Sequence, residues 1–145
     1  MIRFLYDTAV FVYAVGQDHP YRDPCRRIVA AARDGTVAGE ASVELVHELV
    51  HVLVRRGGDR AKALRLAGAA AELARLHEFS PSDLPLVMTL LGEHAALDAR
   101  DAVFAATALN RGISLILSPD RAYDQIPGLE RLDPAAPDVL QRLAG

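Results

Sequence analysis

The chain alternates short apolar runs with longer stretches in which apolar side chains return every three or four residues, the two periods that separate strands from helices. Phe4 to Tyr6 form a β-type run, and Thr8 to Val15 predict a short helix that stops at Gly16. Pro20 to Asp34 carries helical spacing with Cys25, Ile28, Val29 and Ala32 inward, and Gly35 fits a C-cap before a short strand at Val37-Ala38. Ser42 predicts the N-cap of a helix running to about Arg56. Gly57-Gly58 breaks that helix, and Asp59 caps another, from Arg60 to about Leu76, whose small residues permit close contact. Those two make an αα-hairpin. A strand at His77 to Ser80, helices over Pro81 to Ala96 and Ala99 to Arg111, the clearest strand at Ile113 to Leu117 and a final edge strand at Leu132 complete the pattern. Pro134 and Pro137 mark the tail.

Short strands alternating with helices argue for an α/β fold with a mainly parallel sheet, and such sheets bind ligands at the carboxyl ends of their strands. At 145 residues and 51% hydrophobic composition, one domain spanning residues 1–145 with one substantial core is expected. Formal charge is −3, so a nucleic-acid ligand needs a local basic patch rather than overall attraction. Of the 16 basic residues only Lys62 is a lysine, which removes P-loop and Schiff-base chemistry. Cys25 stands alone, so a disulfide framework is excluded and a reducing cytosol is the natural setting. No membrane span is visible, and a cytoplasmic protein is expected.

Candidate chemistry lies in Asp7, Glu48, Asp101 and Asp120, each where an apolar element meets its loop or on the one polar face of a helix. Asp7 ends the first strand, and Asp120 follows the Ser118-Pro119 turn after the strand at Ile113 to Leu117, so a sheet edge can unite them. Oxygen ligands of this kind suit Mg²⁺, which keeps several of its waters. Each acid also has a plainer reading. Asp7 can cap the helix after it, Asp98 and Asp101 together resemble a capping box, and Asp120 can fix the Pro119 turn.

On the helix from Ser42 to Arg56, residues Glu44, His47, Glu48, His51 and Arg55 share one sector of roughly 100°, and nearly everything else is apolar. That strip is either solvated or faces a cleft. It also spells His47-Glu48-Leu49-Val50-His51, the H-E-x-x-H string of zinc peptidases. The metzincin continuation needs glycine and histidine where this chain has Val54 and Gly57, and Glu72 as a third ligand has no supporting pattern around it. A zinc-dependent peptidase therefore stands as the alternative enzyme, and a noncatalytic RNA- or protein-binding module as the alternative without chemistry. A phosphoaspartate receiver lacks its late-strand lysine.

Four segments carry a family resemblance: Asp7-Thr8-Ala9-Val10-Phe11-Val12-Tyr13-Ala14; Ala41-Ser42 followed by Glu48; Ala99-Arg100-Asp101-Ala102-Val103-Phe104-Ala105-Ala106-Thr107-Ala108; and Leu117-Ser118-Pro119-Asp120 with Ile126-Pro127-Gly128-Leu129 behind it. In order and spacing the chain resembles a PIN domain of the VapC toxin type almost end to end. The resemblance implies a PIN-like α/β/α sandwich and an Mg²⁺-dependent (Mn²⁺ possible) endoribonuclease toxin of a type II toxin–antitoxin pair, a homodimer neutralised by a cognate antitoxin. It implies metal ligation by Asp7 and Asp101, completed by Glu48 and Asp120, with Thr8 and Ser118 orienting acids or waters and Asp124 as a further acid. Metal-activated water would leave 5′-phosphate and 3′-hydroxyl ends, on structured RNAs such as tRNA. His47 and His51 lie outside the family pattern. Arg55, Arg56, Arg60, Arg100 and Arg121 are the candidate phosphate contacts.

Overall fold

The computed structural model describes residues 2–145. Five short strands form one sheet in the order β3-β2-β1-β4-β5, with β1 at Leu5–Tyr6, β2 at Glu40–Ser42, β3 at Arg75–His77, β4 at Leu115–Leu117 and β5 at Glu130–Leu132. All four pairings are parallel. Helices cover the sheet: α1 (Thr8–Val15), α2 (Arg22–Arg33), α3 (Val43–Gly57), α4 (Arg60–Leu73), α5 (Leu84–Glu93), α6 (Ala99–Asn110) and α7 (Val139–Ala144). The result is an α/β/α sandwich with the α3–α4 hairpin on one side. Every strand residue of β1, β2 and β4 is buried, as expected for a parallel sheet clad on both faces.

From β1 the chain winds outward to β2 and β3, then crosses back to place β4 on the other side of β1. The loops leaving β1 and β4 therefore diverge, and a crevice opens between them at the carboxyl edge of the sheet. Register fixes what lies there: Tyr6 pairs with Leu117, and the Asp7 amide donates to the Leu117 carbonyl at 3.1 Å.

Several element ends follow from the caps read in the sequence. The Ser42 hydroxyl accepts from the Glu44 amide at 3.1 Å, Asp59 Oδ1 from Lys62 at 3.1 Å and Asp98 Oδ1 from Asp101 at 2.8 Å. Other expectations are corrected. The second strand lies at Glu40–Ser42 rather than Val37-Ala38, because buried Glu40 is neutralised by Arg3 (2.8 and 2.9 Å) and His77 (2.7 Å). The third strand, expected at His77 to Ser80, ends at His77 instead of starting there. The helix expected over Pro81 to Ala96 is a 3₁₀ turn, Pro81–Asp83, followed by α5, since Ser80 and Asp83 form a capping box that starts the segment. On α2 the fully buried positions are Cys25, Ile28 and Ala31, with Val29 and Ala32 only packed against the core. The proline-marked tail closes with α7, which buries Val139 and Leu143.

Gly39, just before β2, sits where a Cβ atom would come within 2.1 Å of the Tyr6 ring and 2.8 Å of Phe4. Gly68, exposed inside α4, has nothing within 4 Å of the same position. Gly39→Ala is expected to destabilise the fold by about 1–3 kcal/mol or more through overpacking, while Gly68→Ala stabilises it by about 0.5–1 kcal/mol by restricting the unfolded chain. Urea unfolding of both variants checks the pair, and a Gly39→Ala protein as stable as the parent would contradict the packing described.

Candidate active site

Asp7 occupies the N-cap position of α1, yet its side chain caps nothing. Instead its carboxylate accepts a hydrogen bond from the buried Ser118 hydroxyl at 2.5 Å, and the same Ser118 oxygen accepts from the Asp120 amide at 3.0 Å. Ser118 is thus the pin between the loops after β1 and β4. Asp120 spends one oxygen on the Ala122 amide at 2.9 Å, so the turn-fixing reading holds for that atom. Asp101 lies in the first turn of α6, where the helix dipole favours a carboxylate, and accepts from the buried Tyr123 hydroxyl at 3.2 Å. Asp98, not Asp101, does the capping there.

Glu48 projects from α3 and is mostly covered, 3.8 Å from Arg100, which also lies 3.7 Å from Asp98. Glu48 Oε2 and Thr8 Oγ1 are both buried, the Thr8 hydroxyl lies close enough to lower the Glu48 carboxyl pKa, and neither oxygen makes a well-aligned hydrogen bond to another protein group.

All four acids line one cleft of about 480 Å³, together with Thr8, Tyr13, Tyr21, Arg56 and Arg100. Their electrostatics register the crowding. Burial, and then the charges of Glu48 and Asp120, push Asp7 up to about 6 against the opposing Ser118 hydrogen bond. Burial, then Asp98, Asp7 and Asp120, push Asp101 up to about 7, with Tyr123 opposing. Glu48 is raised by burial and by Asp98, partly offset by Arg100. Among the described residues no three His, Cys, Asp or Glu side chains stand close enough to form a ready-made metal cage. The donors nonetheless suit a hard cation: they are all oxygens, they share one cleft, and an ion that keeps several waters needs only one or two direct carboxylates.

The H-E-x-x-H string lands differently from its zinc-peptidase reading. Glu48 turns into the acidic cleft, whereas His47 is largely exposed, 3.8 Å from Glu44, and His51 is exposed. Glu72 is exposed on α4, and no ligand trio forms around the histidines among the described residues. Asp124 is an ion-pair partner of Arg131 at 2.7 Å and is lowered by that contact, so it stands apart from the four acids. Of the candidate phosphate contacts, Arg56 and Arg100 line the cleft, and Arg55, Arg60 and Arg121 do not. Tyr123, Tyr13 and Tyr21 were not foreseen. Only the first had a signal, its place three residues beyond Asp120, and only the fold shows that the intervening 3₁₀ turn, Arg121–Gln125, returns its hydroxyl to Asp101.

Comparison with known proteins agrees with this geometry. The PIN domain family profile matches residues 4–129. Ribonuclease VapC7 of Mycobacterium tuberculosis is 36% identical over 140 residues, covering 94% of this chain and 95% of that protein. Ribonuclease VapC23 of the same species is 34% identical over 116 residues, 79% of this chain and 90% of that one. Among solved structures, VapBC2 from Rickettsia felis bound to a promoter DNA fragment superposes with a TM-score of 0.70 at 14% identity, covering 91% of this chain and 98% of that one. Mycobacterium tuberculosis VapC20, a sarcin-ricin loop cleaving toxin, gives 0.68 at 15% identity, covering 87% and 98%. At such identities the structures speak for the fold, while the profile and the 36% relative speak for descent: this chain belongs to the PIN domain family, on its VapC branch.

Proposed function

We propose that the protein is a divalent-cation-dependent endoribonuclease that hydrolyses RNA phosphodiester bonds with water, and that it is the toxin of a toxin–antitoxin pair. The observation that carries this reading is the gathering of Asp7, Glu48, Asp101 and Asp120, from four separate elements, in one cleft with Arg56 and Arg100. No histidine or cysteine lines that cleft among the described residues, so it holds no Ser-His or Cys-His pair, and water is the nucleophile in this reading. Asp7 and Asp101 would hold Mg²⁺ or Mn²⁺, with Glu48 and Asp120 beside them. Such a cation, when bound, neutralises phosphate charge and acidifies water.

The remaining work belongs to the chain's own residues. Ser118 and Tyr123 hold Asp7 and Asp101 by hydrogen bonds, which orients the two acids before any ligand arrives. Thr8 faces Glu48 inside the cleft and would orient its carboxylate. Arg56 makes no ion pair among the described residues and is available to a backbone phosphate. RNA as the substrate is supported by the ribonuclease relatives VapC7 and VapC23. An antitoxin partner is supported by fold neighbours that are toxin–antitoxin complexes, such as the one from Klebsiella pneumoniae.

Purified protein is expected to cut RNA with Mg²⁺ or Mn²⁺ and to stop in excess EDTA. Ser118→Ala should weaken metal-supported cleavage by roughly 10- to 100-fold, the usual cost of losing a ligand's supporting hydrogen bond, and Asp7→Asn and Asp101→Asn by more. Undiminished cutting in EDTA, or full activity in Asp7→Asn, would remove the reading.

A pH effect follows from the same acids. Asp7 and Asp101 have folded-state pKa values of about 6 and about 7, above their ordinary carboxylate value. Between pH 4 and those values the folded metal-free protein binds more protons than the unfolded chain, so stability falls as pH rises through this window. Glu40 and Asp83, held low by Arg3 and Arg111, are ionised in both the folded and the unfolded state above about pH 5 and contribute little slope from there upward. Metal-free protein should therefore lose roughly 2–4 kcal/mol between pH 5 and pH 8, the lower figure where solvent screens the partly exposed Asp101, and Mn²⁺ at pH 8 should restore it. Thermal melting at both pH values, with and without Mn²⁺, measures this, and a metal-free protein more stable at pH 8 would contradict it.

A further inference from the structure

One wall of the acidic cleft is aromatic. Tyr13 from α1 and Tyr21 from the turn before α2 both line it. His19 lies against them, with ring centroids 4.5 Å from Tyr13 and 6.0 Å from Tyr21, and the two tyrosines are 5.4 Å apart. The interplanar angles are only 27°, 17° and 33°. Core aromatics in this protein pack differently: Phe4 meets Tyr6 edge to face at 75°. Near-parallel stacking at the surface contrasts with this edge-to-face packing and is the arrangement to which a further flat ring can be added.

These rings are neither core nor loose. Tyr13 and Tyr21 are half-buried and His19 is exposed. The Tyr21 hydroxyl donates to Asp133 at 2.9 Å, Asp133 lies 3.6 Å from Arg131, and Arg131 donates to the Ser118 carbonyl at 3.1 Å. The Tyr21 amide donates to His19 Nδ1 at 3.1 Å. The wall is thereby tied to the loop that holds Asp7, and a pre-ordered surface loses little entropy when a ligand docks on it.

Resting on the ribonuclease reading above, we infer that Tyr13 and Tyr21, backed by His19, form a stacking subsite for an unpaired nucleobase next to the phosphate that is cut. Every base has a π face, so the subsite anchors the strand without choosing its sequence. It also requires an unstacked base, which favours single-stranded loops over duplex. Arg56 in the same cleft gives the adjoining backbone a cation.

The test separates bases from charge. In Asp7→Asn protein, fluorescence anisotropy compares a labelled short oligoadenylate with an abasic ribose-phosphate chain of the same length. The oligoadenylate is expected to bind more tightly by roughly 5- to 150-fold, the range for one stacked base. Adding Tyr13→Leu should erase that preference, Tyr13→Phe should keep it, and circular dichroism checks that each variant is folded. Should Tyr13→Leu unfold, Tyr21→Leu against Tyr21→Phe decides the same question. Equal binding of the two probes by the Asp7→Asn protein, or an unchanged preference in a folded Tyr→Leu variant, overturns the subsite. The ribonuclease reading would survive that result if the wild type still cuts RNA with Mn²⁺ and stops in EDTA.

Discussion

The parallel pairing of β1 with β4 is the constraint on which the site depends. Because Tyr6 is in register with Leu117, the next residues along the two strands, Asp7 and Ser118, must leave the sheet side by side. Their divergence at the switch of winding direction makes the crevice, and the Ser118 hydroxyl bridges it to the Asp7 carboxylate. Asp120 follows by the same loop, Asp101 arrives from the first turn of α6, and Glu48 from within α3. Four like charges in one cleft oppose folding, and the core must carry them. A fold whose β1, β2 and β4 are buried throughout has apolar area to offset that cost.

The same residue types elsewhere show what distinguishes a structural acid from a site acid. Glu40 is as buried as Asp7, yet Arg3 and His77 hold it down at about 2. Asp83 is buried too, and Arg111, Asn110 and the Ser80 amide hold it well below the usual carboxylate range. Asp7 and Asp101 have hydroxyl donors and other acids instead of cations, and they move upward. Burial is the main cause that raises Asp7 and Asp101, and the neighbouring acids add to it, whereas the cations beside Glu40 and Asp83 outweigh burial.

Much of this was legible before the fold. Ser42, Asp59 and Asp98 announce helix starts because a capping bond spans only two or three residues, and the apolar run around Leu115–Leu117 has one reading. Asp7, Glu48, Asp101 and Asp120 were visible as polar residues in apolar surroundings, and the structure brings all four to one cleft. What escaped depends on contacts distant in sequence. Glu40 inside β2 looks like a loop residue until Arg3 and His77 pair with it. The roles of Tyr123 and Tyr21 lie in bonds to Asp101 and Asp133 that no local pattern encodes. Of the H-E-x-x-H string, only the glutamate lines the cleft with Asp7, Asp101 and Asp120.

Arg131 shows how far the site's support extends beyond its acids. One guanidinium on β5 meets Asp124 at 2.7 Å, Asp133 at 3.6 Å and the Ser118 carbonyl at 3.1 Å, while Asp133 receives the Tyr21 hydroxyl. Asp124, which the family resemblance offers as a further acid, is thus committed to this clamp. A planar cation with several fixed donors can hold three oxygens at once, where a lysine's compact charge would hold them less specifically. The acidic loop and the aromatic wall share that one anchor, so a shift in β5 would move both together. Their relative placement is therefore set by the edge of the sheet rather than by either group's own contacts, which is how a cleft built from distant segments keeps a fixed geometry.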